Sequence, residues 1–210
     1  MNRTLALTSL LFLLACNDAV NEPVATKPTV RKDSNSSIIR KEPANPYVSK
    51  DISAMDISYF PDDYPVLKMT RGISHPPVAR VIYSRPHRQG RKIFGGLLKY
   101  GEPWRLGANE STEIEFFRPV SIQGKRVAPG RYTLYAVPHE KEWTVVLNSN
   151  IYSWGLKQDS TKDVQKFRIP VQSGRPSIED FTMVFQRTGT GANLLIAWDD
   201  VVARLPITVQ

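Results

Sequence analysis

The chain has 210 residues and a formal net charge of +8, with 41% hydrophobic and 23% charged residues. At roughly 100–200 residues per domain, this length fits one domain with tails, and the composition is ordinary for a globular protein. No apolar run reaches the ~20 residues of a membrane-spanning helix, which argues against a helical integral membrane protein. A single cysteine excludes a disulfide framework and a multi-cysteine zinc site, and we predict no metal and no cofactor.

The first fifteen residues have the pattern of a secretory signal peptide. Arg3 precedes an apolar run, Leu5–Ala15, whose length fits a signal sequence and not an anchor helix. The run ends in Leu13-Leu14-Ala15-Cys16, which resembles the lipobox of bacterial lipoproteins. We therefore predict that residues 1–15 are removed and that Cys16 is acylated, which fixes a protein to a bilayer without a helix. The alternative is an ordinary signal peptide with an incidental cysteine.

The next thirty residues differ in composition from the remainder of the chain. Residues 17–46 contain four prolines, four asparagines and no aromatic residue, and such a segment cannot bury enough apolar surface to order itself. We interpret residues 16–46 as a flexible tether with a reach of roughly 30 Å. Residues 47–210 are then the single folded domain, held to the cell envelope of a bacterium in a membrane and leaflet that the sequence does not specify.

Within residues 47–210, apolar side chains alternate with polar ones at the period of a β-strand. The alternation marks strands within 78–84, 114–116, 131–136, 143–148, 181–185 and 194–198. No amphipathic helical segments of ten or more residues separate them, which argues against βαβ units. We predict an all-β fold, an antiparallel β-sandwich of jelly-roll-like or barrel-like form with few or no helices. Trp143 and Trp198 are predicted to be core residues, and Trp154, beside a glycine, a packing anchor.

The positive charge is concentrated in one stretch. Between Arg71 and Arg105 there are eight basic residues and one acidic residue, Glu102. Such a cluster is a candidate footprint for an anionic partner, such as a lipid head group, an acidic glycan or a small carboxylate. Nucleic acid is disfavoured, because an exported protein has little access to it. The alternative is that the charges scatter once the chain folds.

The same stretch carries the candidate site residues. Its glycines permit close approach of the backbone to a ligand, arginine recognises carboxylate or phosphate with two parallel bonds, and a tryptophan can stack on a sugar face. We expect Arg85, Arg105, Asn109 and Glu110 to converge. The full candidate cluster for ligand binding or catalysis is Arg85, Arg91, Trp104, Arg105, Asn109 and Glu110.

Several strings of this chain resemble the domain-of-unknown-function family numbered 2911. The strings are Tyr83-Ser84-Arg85-Pro86, 90–96, 100–112, 129–134, 142–148, Trp154-Gly155 and 192–198. The resemblance extends over residues 47–210 and implies an exported bacterial protein, in agreement with the signal peptide. It implies no activity, since the family is defined without one.

Three functions remain open at this point. The first is a non-catalytic module that binds an anionic or sugar-like ligand, or a partner protein, through the region from Arg85 to Glu110. The second is a hydrolase or lyase on an envelope polymer, with Glu110 as general acid or base and Arg105 beside it. The third is a structural subunit of an envelope complex. Binding is favoured over catalysis, because an arginine beside Glu110 would hold the carboxylate ionised, and the sequence names no catalytic residue.

Overall fold

The computed structural model describes residues 51–209. The predicted signal peptide, Cys16 and the tether lie outside the described residues, as does the predicted start of the domain at residue 47. No helix in the described part of the chain is both long and apolar enough to cross a membrane.

Eleven strands and one short helix make up the described fold, in agreement with the predicted all-β class. The strands are β1 (Met55–Phe60), β2 (Ala79–Ser84), β3 (Thr112–Phe116), β4 (Val120–Ile122), β5 (Lys125–Val127), β6 (Gly130–Pro138), β7 (Glu142–Asn148), β8 (Asp163–Gln172), β9 (Ile178–Thr188), β10 (Gly191–Asp199) and β11 (Val201–Val209). The helix α1 (Tyr64–Arg71) lies between β1 and β2, and a single 3-10 turn covers Ser160–Lys162.

All strand pairs are antiparallel, and they form one sheet in the order β1-β2-β3-β6-β7-β8-β11-β10-β9, with the β4–β5 hairpin attached to β11. The first and last strands of this order, β1 and β9, approach one another. The backbone N–H of Phe185 in β9 donates to the Ser58 hydroxyl in β1 at 3.2 Å. The sheet is therefore a nearly closed barrel, which is the barrel-like form of the predicted architecture.

Alternation along the strands explains why this sequence closes around an interior. In β3, Thr112, Ile114 and Phe116 are buried while the two glutamates between them are partly exposed. The same period of two in other strands directs apolar side chains inward. Trp143 and Trp198 lie in the core, as predicted, and Phe94 and Phe181 pack with them.

Candidate functional site

A groove of about 410 Å³ opens on the surface of the barrel, where five segments distant in sequence meet. The segments are the chain before β1, two stretches of the long β2–β3 connection, the β7–β8 loop, and the end of β10. Apolar residues are the majority of the lining residues, and the charged ones are Arg91 and Arg105. None of the described residues that line the groove has a carboxylate, so the charge that residues 51–209 bring to it is uniformly positive.

Arg105 is the unusual member of this lining. Its Nε is buried and has no hydrogen-bond partner in the described part of the chain. Two other arginines also bury Nε, but each has carboxylates nearby: Arg80 Nε lies 2.7 Å from Glu115, and Arg88 lies within 4 Å of Glu179 and Asp199. Arg105 has no carboxylate within that distance in residues 51–209. Desolvation accordingly lowers the pKa of its guanidinium below the ordinary value, although the residue is only partly buried.

The backbone around Arg105 is fixed by the barrel. Trp104 pairs with Ala136 of β6 through two backbone hydrogen bonds of 2.7 and 2.8 Å. The Trp104 ring is buried among Phe94, Trp143, Phe181 and Trp198, with a centroid distance of 5.0 Å to Phe181. Trp104 is therefore a core residue whose accessible edge forms the floor of the groove, and it does not present a free ring face for stacking.

A tight turn follows Arg105 and separates it from Glu110. Leu106, Gly107 and Asn109 all have positive φ, at 55°, 153° and 56°. A bulky buried leucine rarely adopts this conformation, and such strain is concentrated at functional sites. The Thr112 hydroxyl donates to the Leu106 carbonyl and holds the turn. The turn leaves Glu110 exposed, and Arg105 and Glu110 form no ion pair among the described residues, in contrast to the pairing considered from the sequence.

Asn109 and Arg85 contact the chain that precedes β1. The Asn109 amide donates to an Asp51 carboxylate oxygen at 2.8 Å. Arg85 forms an ion pair with Asp56 at 3.1 Å and lines a neighbouring cavity of about 750 Å³. Ile52 lines both this cavity and the groove. Arg91, Trp104 and Arg105 thus meet in the groove, Asn109 holds the segment that forms one wall, and Arg85 lies on the other side of that wall.

Ion pairing explains which part of the basic cluster is available to a ligand. Carboxylates from other segments lie beside Arg80, Arg85 and Arg88, and Lys99 lies 4.0 Å from Glu102. Within residues 51–209, Arg91 donates only to backbone carbonyls, those of His87 and Arg88. Half of the cluster is therefore neutralised within the fold, and the two arginines of the groove are not.

Sequence reasoning missed the residues that come from outside the Arg85–Glu110 region. Ile52 and Ser53 form one wall, and Gly155 and Leu156 of the β7–β8 loop form another. A Cβ at residue 155 would lie 2.6 Å from Ser111 Oγ and 3.1 Å from Arg105 Cβ and Cδ. The available signal was the Trp154-Gly155 pair, because a glycine beside a tryptophan marks a close approach of backbone and side chain.

Tyr83 and Arg85 both donate hydrogen bonds to the Asp56 carboxylate. The ionisation of Tyr83 provides a test of this network of three side chains. The Tyr83 hydroxyl donates to Asp56 at 3.2 Å, and burial raises its pKa to about 12. Between about pH 10 and 12 this tyrosine is ionised in the unfolded chain and protonated in the native chain. The free energy of unfolding should therefore keep its full value below pH 10 and fall as the pH rises through 12. The expected total loss is about 3 kcal/mol for a two-unit shift.

Urea unfolding across this pH range checks the expectation. Tyr83→Phe should flatten the fall in the free energy of unfolding, because the native chain no longer retains that proton. The matched control is Tyr152→Phe, at a tyrosine that is almost fully exposed. An unchanged slope in Tyr83→Phe would contradict the assignment.

The described fold and groove define a small antiparallel barrel with a cationic surface groove. The chain belongs to the family described as protein of unknown function, DUF2911, whose model matches residues 69–207. No curated protein and no solved structure matches the chain. In residues 51–209, no group of three or more His, Cys, Asp or Glu side chains is placed to hold a metal ion.

Proposed function

We propose that the chain is a lipid-anchored module of the bacterial cell envelope that binds, without chemical conversion, a small organic anion with an apolar body. The anchor is proposed from Leu13-Leu14-Ala15-Cys16, where the only cysteine of the chain follows an apolar signal run. The ligand site is the groove that contains Arg91 and Arg105. Binding of an anionic ligand was one of the functions considered from the sequence. The site proposed here is smaller: it is the groove, and not the whole region from Arg85 to Glu110.

The observation that carries the proposal is the partly dehydrated guanidinium of Arg105, whose buried Nε lacks a hydrogen-bond partner and which has no carboxylate within 4 Å among the described residues. A buried polar atom without a partner costs about 1–3 kcal/mol, and the fold provides carboxylates for the other two arginines with a buried Nε. A carboxylate, sulfonate or phosphate from a ligand in the groove would bind the accessible part of this guanidinium with a charge-assisted bond.

The remaining lining favours an anion with an apolar portion over a sugar. Leu97, Leu98, Pro103 and Leu156 line the groove, whereas a sugar requires many hydrogen-bond partners and an open aromatic face. A volume of about 410 Å³ lies in the ordinary range for small-molecule sites.

The same geometry favours binding over acid–base catalysis. A general acid or base must lie within hydrogen-bond reach of the reacting atom. Glu110, the candidate from the sequence, is exposed on the far side of the turn and is not part of the groove lining. Arg105 offers only a fixed positive charge, which holds an anion and does not transfer a proton at neutral pH.

The proposed anchor predicts the behaviour of Cys16→Ser. The variant should accumulate as an uncleaved precursor or be released in soluble form, since lipoprotein acylation requires the thiol. Metabolic labelling with a fatty acid measures this directly. Label that is retained in Cys16→Ser would contradict the lipoprotein assignment.

The proposed ligand site predicts that Arg105→Met weakens ligand binding and does not lower stability. Charge-assisted hydrogen bonds are worth about 1.5–3 kcal/mol, so the affinity for anilinonaphthalene sulfonate, an aromatic sulfonate probe, should fall about 10- to 100-fold. The free energy of unfolding should not fall, because methionine removes an unsatisfied Nε and retains an apolar stem.

Arg118→Met is the matched control for this experiment. Arg118 is exposed and does not line the groove, so its loss should change neither quantity appreciably. Fluorescence titration and thermal melting of the three proteins give the comparison. A clear loss of stability in Arg105→Met without a loss of affinity would show that the arginine has a structural role and would contradict the proposal.

A further inference from the structure

The β7–β8 loop exposes apolar side chains at every second position. Tyr152 is 93% exposed, Trp154 56% and Leu156 74%, whereas Ser153 is half-buried and Gly155 is buried. Single exposed apolar residues are ordinary. Three within five residues form a projecting apolar strip, which marks an interaction surface.

Hydrogen bonds hold this loop so that its apolar side chains cannot turn inward. The Ser111 hydroxyl donates to the Ser153 carbonyl at 2.7 Å, and the Gly155 N–H donates to the Ser153 hydroxyl at 3.1 Å. The Gln158 amide donates to the Gly155 carbonyl at 3.1 Å. The exposed strip is therefore a fixed feature of the barrel.

The strip is continuous with the rim of the groove. Leu156 belongs to both, and Ile52, Leu97 and Pro103 are further exposed apolar residues of the rim. Behind this rim lie Arg91 and Arg105 with no carboxylate among the lining residues. Tryptophan, tyrosine and aliphatic tips with cations beside them match the interfacial zone of a bilayer that contains anionic lipids.

The entry of the chain into the barrel lies at the same rim. The described residues begin at Asp51, which accepts a hydrogen bond from Asn109, and Ile52 next to it lines the groove. The described chain therefore begins beside the groove. The tether predicted from the composition of residues 17–46 would reach roughly 30 Å, and a barrel anchored in this way would stay close to the bilayer.

We infer that the strip of Tyr152, Trp154 and Leu156 enters the interfacial region of an anionic bilayer and turns the mouth of the groove toward the membrane. This inference rests on the proposed lipid anchor. It assigns the source of the groove's ligand: an amphiphilic anion of the membrane, whose acidic group reaches Arg105 while its apolar chain crosses the apolar rim.

Trp154 is a built-in reporter for this contact. Of the four tryptophans, all of which are described, Trp104, Trp143 and Trp198 are buried. The difference in emission between the native chain and Trp154→Phe therefore isolates Trp154. The acylated full-length chain is placed on vesicles of phosphatidylcholine and phosphatidylglycerol, with or without bromine on the acyl chain near the head group, and flotation of the vesicles measures anchoring.

The matched control reporter is Val66→Trp in the Trp154→Phe background. Val66 is 55% exposed and belongs to α1. Ile52 precedes the first residue of β1, whereas α1 follows the last residue of that strand, so Val66 lies beyond the opposite end of β1. The emission of Trp154 should shift to the blue and lose most of its intensity to brominated lipid, and the Val66→Trp reporter should retain its emission. The control corrects for quenching that results merely from tethering near lipid.

Flotation tests the proposed anchor, and quenching of Trp154 tests the proposed membrane contact. A chain that floats with Trp154 unquenched, as expected if the strip instead binds a protein, overturns the membrane contact and leaves the anchor intact. Equal quenching of both reporters also overturns it, because the barrel then has no preferred face. A chain that does not float contradicts the anchor and the contact together.

Discussion

Replacing Trp104 with alanine should lower the free energy of unfolding by about 3–5 kcal/mol, the usual loss for a large aromatic residue in a core. The ring contacts four other aromatic residues, with centroid distances of 5.0 to 6.0 Å. Its indole N–H donates to the Gly107 carbonyl at 3.3 Å, so the substitution also loosens the turn after Arg105. Urea unfolding measures the loss.

Trp154→Ala is the control for this prediction. Trp154 is exposed, and exposed substitutions of this kind usually change stability by less than about 0.5 kcal/mol. The two tryptophans therefore separate the core from the exposed strip. Losses of equal size in the two variants would contradict the burial assigned to Trp104.

Gly155→Ala should destabilise the chain by about 2–4 kcal/mol, which combines the strain of a left-handed residue with overpacking. Residue 155 has a φ of +85° and its added Cβ would meet Ser111 Oγ and the stem of Arg105. Ser111 also anchors the loop through the Ser153 carbonyl. The substitution should therefore displace Arg105 and weaken binding of the sulfonate probe as well.

The control variant Gly174→Ala separates the backbone strain from the overpacking. Gly174 has a φ of +74° but nothing within 4 Å of an added Cβ, so it should show only the backbone strain, about 1–2 kcal/mol. Probe affinity should not change in this variant. If the two alanine variants were equally stable and bound the probe equally, residue 155 would have no special packing role.

The strands that the sequence predicted are those in which burial and side-chain type alternate together. β2, β3, β6, β7, β9 and β10 contain such runs, and the structure confirms them. β8 and β11 were missed because Pro170 and Pro206 interrupt their patterns, and proline usually argues against a strand. α1 was missed because Asp62-Asp63 reads as a turn, whereas the helix begins immediately after it with proline in its first turn.

The candidate site was predicted in part. Trp104 and Arg105 were selected from an unusual density of special residues, and both line the groove. The position of Glu110 depends on three positive φ angles in the turn before it, which residue types alone do not specify. Trp154 was expected to pack inward and is exposed, because the glycine after it packs against Arg105 in its place.

Sequence patterns could not predict which distant segments meet at the groove, because this depends on the long-range pairing of the strands. Ile52 and Leu156 are about a hundred positions apart, and they meet only because β1 and β7 lie in the same sheet on either side of β2, β3 and β6. Strand order is set by the closure of the whole barrel, and local alternation contains no information about it.

The central claim is that Arg105 holds the charged group of a ligand whose apolar part lies in the groove. Calorimetric titration of octanoate and of octanol against the native chain and Arg105→Met tests it most directly. The native chain should prefer octanoate by about tenfold or more, since a charge-assisted bond contributes about 1.5–3 kcal/mol, and Arg105→Met should lose this preference while it retains affinity for octanol. Equal binding of the acid and the alcohol by the native chain, or a preference that survives in Arg105→Met, would contradict it.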